Sequence, residues 1–220
     1  ALGELIAESD LKDLGMHTEL CSDAYLSMYK AGKLTNKRKN IDKGKGVFGC
    51  AIGSPELYEW VDDNHGIAAY PLEYVNRPSV IAQIDNMVSI NSCVSVDLYG
   101  QVAAESSGSR QISGTGGQLD FLIGASASRG GKAFICMSSV YKDKEGVYHS
   151  RIRPQFDGDI ITSPRSQVYF LATEYGVINL EGRSTWERAE GLISIAHPDF
   201  RERLIEEADK RKIWRRSNRR

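Results

Sequence analysis

The chain lacks the usual marks of metal, triad and membrane chemistry. Its four cysteines, Cys21, Cys50, Cys93 and Cys136, are too far apart for a CxxC or CxxxxC knuckle. Each sits among apolar or small neighbours, which predicts reduced, buried thiols and no metal site. The four histidines form no HxxxH or HxH pair, and no GxSxG elbow is present for a serine hydrolase. No run approaches the roughly 18 apolar residues of a membrane span, and no apolar block follows a basic N-terminal segment as in a signal peptide. A cytoplasmic protein with no membrane partner is expected. Excess positive charge is missing too: 28 basic residues face 29 acidic ones, so no surface is built for nucleic acid. The balance is uneven along the chain. Seven of the 28 basic residues and no acidic one fall in residues 210–220, leaving 21 against 29 elsewhere, a basic tail on an acidic body.

At 220 residues, 41% hydrophobic and 26% charged, the chain can bury a core. Residues 1–209 are read as one large domain and 210–220 as its tail. Leu2, Leu5 and Ile6 already follow helical spacing behind Ala1, so the sequence is expected to start inside an element of a longer protein. A helix is predicted over 1–9 and a strand over 14–20. Ser22 or Asp23 then caps a helix with Tyr25, Leu26, Met28 and Tyr29 on its apolar face and Gly32 as its stop. Residues 46–53 read as a strand, followed by Ser54-Pro55 as a helix start. Residues 67–70 look extended, 87–98 a single strand ending at Tyr99-Gly100, and 106–117 a glycine and serine loop. A helix containing Leu119, Phe121, Leu122 and Ile123 follows, then strands at 133–137, 159–162 and 168–173. Asp143-Lys144-Glu145-Gly146 suits a hairpin turn, Ser184-Thr185-Trp186-Glu187 a capping box, and Pro198 the start of the last helix. This alternation predicts an α/β fold: an open, largely parallel sheet flanked by helices, with its active site at the strand carboxyl ends.

Two segments carry candidate chemistry. In Ser113-Gly114-Thr115-Gly116-Gly117-Gln118-Leu119-Asp120-Phe121 the glycines let backbone amides approach a ligand, and ahead of a helix those amides would face an anion or a developing oxyanion. A tight turn needing positive φ explains the same glycines equally well. That segment carries neither a Walker sequence nor the GxGxxG spacing. The second candidate is Glu19, a carboxylate at the end of a mostly apolar strand just before a capped helix; a solvated or capping glutamate is the commoner use of such a residue. His17, two positions away, would share its strand face, leaving orientation and proton transfer both open.

Taken together, Gly15-Met16-His17-Thr18-Glu19-Leu20, the glycine segment, Thr173-Glu174-Tyr175-Gly176 and Ala196-His197-Pro198-Asp199-Phe200-Arg201 resemble the acetyl-CoA hydrolase/transferase family. The resemblance runs essentially end to end and is strongest to 4-hydroxybutyrate and butyryl-CoA:acetate CoA-transferases. It implies a CoA-transferase-like domain in which Glu19 is the catalytic glutamate, Gly117 donates to an oxyanion or CoA, and Gly116 permits that approach. It also implies that Asn91 orients substrate, although a sheet-end asparagine bonding local backbone is an equal alternative. Glu174 would be auxiliary, orienting Glu19 or a basic partner, or else capping a turn. Lys37-Arg38-Lys39, Lys142 and Lys144 could meet CoA phosphates, though solvated turn residues are the more ordinary account. The activity implied is CoA transfer between a short-chain acyl-CoA and acetate through a glutamyl-CoA thioester, with acyl-CoA hydrolysis or a noncatalytic CoA-binding fragment as alternatives. No metal or permanently bound cofactor is needed; coenzyme A or acyl-CoA enters as substrate. The partners implied are a small carboxylate, an N-terminal domain of the same protein lying outside this chain, and further copies in a homo-oligomer.

Overall fold

The computed structural model describes residues 2–213. The chain forms two compact units, one built from the stretch up to Met87 together with residues 127–131, the other from residues 88–126 and from 132 onward. The expected basic tail lies outside the described residues from position 214.

The first unit contains a fully parallel three-stranded sheet, in which His17–Cys21 (β1) pairs with Gly46–Ala51 (β2), and β2 with Ile67–Ala69 (β3). Its helices are Leu2–Glu8 (α1), Asp23–Lys30 (α2), Pro55–Val61 (α3), Leu72–Val75 (α4) and Pro78–Ile81 (α5). Local chemistry sets their ends. Gly32 lies at φ +69°, and its N–H and that of Lys33 bond back to Tyr29 and Met28, so α2 stops where the sequence predicts. Ser54 accepts the Leu57 N–H at the head of α3, with Pro55 in the first turn. Ser22 occupies the N-cap of α2 without a side-chain bond, and Asp23 instead accepts the N–H and hydroxyl of Ser54. Met16, Cys21, Leu26, Met28, Leu34, Phe48 and Leu57 form the core, each such burial worth roughly 1.5–3 kcal/mol.

Lys39 departs from the reading of 37–39 as solvated or phosphate-facing. It is only 5% exposed, and its ammonium donates to the carbonyls of Met16 at 3.0 Å and Lys45 at 2.8 Å. Burial lowers its pKa from 10.5 to about 8, against a smaller opposing pull from the Asp42 carboxylate. Residues 127–131 complete this unit. The Ser128 hydroxyl donates to the Ile84 carbonyl at 2.5 Å, the Arg129 carbonyl accepts the Asn86 N–H at 2.8 Å, and the Arg129 guanidinium pairs with Asp85.

In the second unit the strands are Val88–Ser92 (β4), Ser95–Asp97 (β5), Val102–Ala103 (β6), Ser106–Ser107 (β7), Arg110–Gln111 (β8), Lys132–Cys136 (β9), Val140–Lys142 (β10), Tyr148–Ser150 (β11), Ile152–Arg153 (β12), Phe170–Thr173 (β13) and Gly176–Asn179 (β14). Helices Gln118–Ala127 (α6), Thr185–Ser194 (α7) and Pro198–Lys210 (α8) accompany them. The main sheet runs β14-β13-β9-β4; β4, β9 and β13 are parallel, and β14 returns antiparallel from β13. A second sheet, β12-β5-β6, is half parallel. The open, largely parallel α/β expectation therefore takes the form of small sheets, three of which contain parallel pairs while β7–β8 and β10–β11 are antiparallel. The predicted hairpin turn joins β10 to β11, and the Ser184–Glu187 capping box opens α7.

Two predicted strands differ. Residues 87–98 form two strands, because the chain leaves β9 after Ser92 and turns to pair with β6 and β12 instead. Residues 159–162 join no ladder. The Asp159 carboxylate, fully buried, instead accepts from Arg153 at 2.6 Å and from the Gly108 N–H at 3.1 Å. The thiols differ as well: Cys21 is buried, Cys93 and Cys136 are intermediate, and Cys50 is exposed. Cys50 is the fifth of the six residues of β2, where burial falls away toward the strand end.

Candidate active site

Glu19 is the third residue of β1, half-buried, two positions before the strand's carboxyl end. Alternation puts it on the same face as His17, and both meet the end of α4. The Val75 carbonyl accepts a 2.8 Å bond from His17 Nε2, which fixes the proton on that nitrogen. Burial lowers the His17 pKa; the Val75 carbonyl opposes this and the Lys39 charge adds to it, so the ring is neutral near pH 7 and serves as a tether. One residue on, the Asn76 side-chain amide donates to Glu19 Oε2 at 2.7 Å. The Glu19 backbone carbonyl faces Cys50 Sγ at 3.4 Å across the β1–β2 ladder.

The other sequence-predicted residues belong to the second unit. Gly116 sits at φ +60°, a conformation that favours glycine, and Gly117 is buried at the head of α6, its carbonyl accepting the Phe121 N–H at 2.9 Å. The loop ahead of them is anchored by Glu105, which sequence reasoning missed: its buried carboxylate accepts from Thr115 at 3.0 Å and Thr162 at 3.2 Å. The signal available was an acidic residue inside the small, apolar run Val102-Ala103-Ala104-Glu105-Ser106.

Asn91 lies on β4 opposite Ile135 and is half-buried. Its side chain makes no hydrogen bond to a described residue, so the local backbone-bonding role is not observed. At the carboxyl edge of β9 and β13, the Glu174 carboxylate accepts the Ser139 N–H at 2.8 Å and the Ser139 hydroxyl at 2.5 Å. Partial burial tends to raise its pKa, but the Ser139 bonds and the nearby His197 outweigh that and hold it below the ordinary value. Glu174 thus grips the turn after β9. Its motif also packs on the last one, since the Tyr175 ring meets His197 edge-on at 5.5 Å and lies under the Arg201 guanidinium at 5.6 Å.

Among the remaining basic residues, Lys142 lies over the Tyr148 ring and Arg38 is 3.5 Å from Asp13. A cavity of about 640 Å³ in the second unit, bordered by Tyr141, Arg151, Arg153 and Arg203, contains none of the predicted site residues. Among the described residues no cluster of three or more His, Cys, Asp or Glu could hold a metal, and no helix is long and apolar enough to cross a membrane.

The sequence profile of the acetyl-CoA hydrolase/transferase C-terminal domain matches residues 53–208. The chain belongs to that family. It is similar to the probable butyrate:acetyl-CoA coenzyme A-transferase of Syntrophomonas wolfei, at 58% identity over 99% of this chain and 49% of the relative. It is also similar to the butyryl-CoA:acetate CoA-transferase of Anaerostipes caccae, at 53% identity over the same shares. Among solved structures, RipA from Yersinia pestis superposes with a TM-score of 0.89 at 41% identity, over 96% of this chain and 47% of that one. An acetyl-CoA hydrolase of Kluyveromyces lactis is more distant, 26% identical over 96% of this chain and 38% of the relative. The chain thus spans about half the length of the curated relatives it matches. Within this family it carries Glu19 ahead of the stretch that the profile covers.

Proposed function

We propose that this chain is the nucleophile-bearing half of a CoA-transferase that moves CoA between a short-chain acyl-CoA, butyryl- or 4-hydroxybutyryl-CoA, and acetate. The observation that carries the reading is the Glu19 carboxylate, held through one oxygen beside a strand end while its other oxygen accepts no hydrogen bond from a described residue. The names of the nearer relatives support the substrate class, and the hydrolases lie much further away in sequence.

The path is ping-pong. Glu19 attacks the thioester carbonyl, the C–S bond breaks, and CoA thiolate leaves an acyl-glutamyl anhydride. The thiolate returns to the glutamyl carbonyl, the anhydride C–O bond breaks, and butyrate departs from glutamyl-CoA. Acetate then attacks the glutamyl thioester, expelling thiolate and forming an acetyl-glutamyl anhydride. Thiolate attack at the acetyl carbonyl gives acetyl-CoA and restores Glu19. Each attack builds a tetrahedral oxyanion, and we assign Gly117 as a backbone donor, with Gly116 shaping its turn; removing one such donor costs about 10² to 10³ in rate. Asn91, whose amide has no other described partner, is assigned to orient the substrate, and Glu174 to hold the Ser139 turn. The free thiols suit the reducing cytoplasm as the place of action.

The test uses the full-length protein with butyryl-CoA. Steady turnover of butyryl-CoA should require acetate and yield acetyl-CoA, and borohydride should reduce an accumulated glutamyl-CoA to an alcohol, read by mass on the peptide carrying Glu19. Glu19→Asp, which withdraws the nucleophile by one methylene, should lose at least about 10² in rate. Full-rate loss without acceptor would favour the hydrolase, and near-normal turnover in Glu19→Ala would end the assignment.

A further inference from the structure

We infer that the cavity in the second unit is a binding site for a phosphate-bearing ligand of nucleotide size, gripped by Arg151 and Arg203. The cavity holds about 640 Å³, a volume typical of small-molecule sites and far more than a lone phosphate or acetate ion fills. Four arginines border it against two carboxylates, Asp159 and Glu207, and no lysine. The fold fixes where these arginines stand. Arg151 and Arg153 flank Ile152, which is fully buried, so both side chains leave the strand on the opposite side. Arg203, Glu207 and the C-cap Arg211 recur every fourth position along α8 and share one face.

The charges in this wall are unequally matched. Arg153 donates to the Asp159 carboxylate at 2.6 Å, Arg211 is paired with Glu207, and His149 is matched by Asp143 at 2.6 Å. Arg151 and Arg203 have no carboxylate partner among the described residues. Arg151 is nevertheless held in place: its Nη1 donates to the Val94 carbonyl at 2.9 Å, and its guanidinium carbon stands 5.4 Å from the centre of the Tyr141 ring. Its Nε is buried and has no hydrogen-bond partner. A buried donor on a charged group is costly to leave unmade, and a ligand oxygen reaching it removes that cost. Two unmatched guanidinium groups in a concave wall select an anion, and their planar forks suit the paired oxygens of a phosphate. Beside them the Tyr141 and His149 rings stack at 5.1 Å, a flat wall on which a base or sugar can lie. A charged group next to a planar one is the chemistry of a nucleotide. Two sources carry it, the nucleotide end of CoA and a free nucleotide.

ADP is the probe, titrated calorimetrically at low salt into the full-length protein, with adenosine as the uncharged control. ADP should bind, and adenosine should not at the same concentration. Arg203→Gln and Arg151→Gln should each weaken ADP by about tenfold to a hundredfold, the loss expected for a hydrogen-bonded charge contact. Glu207→Gln removes one of the two carboxylates and leaves Arg211 unmatched, so it should tighten ADP by about twofold to fivefold. If Arg151→Gln does not fold, Arg203→Gln and Glu207→Gln decide, because Arg203 is exposed and glutamine keeps the length of Glu207. Competition separates the two sources. Displacement of ADP by CoA, with a matching rise in the KM for butyryl-CoA in Arg203→Gln, identifies the nucleotide end of CoA. ADP binding that CoA leaves intact, with that KM unmoved, identifies a free nucleotide. No ADP binding up to about 5 mM, or an ADP affinity within about twofold of the parent in every folded arginine variant, overturns the site. Equal binding of adenosine overturns it as well. None of these outcomes turns on whether Glu19→Ala is active.

Discussion

Replacing Lys39 by methionine should change how the stability of the chain depends on pH, in a direction fixed by the burial of its ammonium. The folded pKa is about 8 against an ordinary 10.5. Below pH 8 the ammonium is charged in both states and the folded state bears the desolvation penalty. Between pH 8 and 10.5 the unfolded chain holds the proton and the folded chain has released it, so folding gains stability as pH rises. The full span is about 3 kcal/mol at 1.36 kcal/mol per unit. About 2 kcal/mol of it falls between pH 7.5 and 9.5. Other groups titrate there with the opposite sign. Burial raises the thiols of Cys21 to about 11 and Cys93 to about 12, so their contribution is lost as pH rises through that range. These terms are common to both proteins and cancel in the difference. Urea unfolding followed by tryptophan fluorescence at the two pH values should show the parent gaining about 2 kcal/mol relative to Lys39→Met. Parallel pH curves, differing by less than about 0.5 kcal/mol, would refute the buried-cation account. The offset between the curves carries a separate quantity, the lost bonds to the Met16 and Lys45 carbonyls, and does not enter the test.

Gly116→Ala places a Cβ on a residue at φ +60° and should lower stability by about 1–2 kcal/mol, visible as a fall in the urea midpoint. The same substitution should slow acyl transfer more than it weakens CoA binding if the turn aims a donor amide; equal effects on both would count against that aim. Maleimide at limiting concentration should label Cys50 well ahead of Cys21, Cys93 and Cys136, as read by peptide mass, since it is the exposed thiol. Preferential labelling of Cys93 would contradict the burial described for it.

The elements that were legible in the sequence are those whose cause is local. Ser184 and Glu187 close their capping box within one turn, Ser54-Pro55 starts a helix with its own hydroxyl, and Gly32 stops one by its φ. The elements that were not legible depend on distant partners. Nothing between Ser92 and Ser95 announces a break, because both strands share one alternation and only the identity of the neighbouring strand changes. Lys39 reads as a turn lysine in a basic run and becomes a buried donor only when the carbonyls of Met16 and Lys45 close over it. Asp159 opens the run Asp159-Ile160-Ile161-Thr162 that reads as a strand, and is held instead by Arg153 and Gly108. At the candidate site, Glu19 stood out through motif resemblance. Asn76, 57 positions later in a four-residue helix cap, offers no pattern of its own.

The return of residues 127–131 to the first unit means that neither unit is a continuous stretch of polypeptide, and the backbone passes from one to the other three times. Severing the chain after Met87 would strip its closing turn of the Ser128 hydroxyl that receives the Met87 N–H and serves the Ile84 carbonyl. The Arg129 groups that satisfy Asp85 and Asn86 would go with it. A shortened clone ending there would therefore expose a frayed edge, and any attempt to produce the piece carrying Glu19 alone must graft that five-residue strap back on.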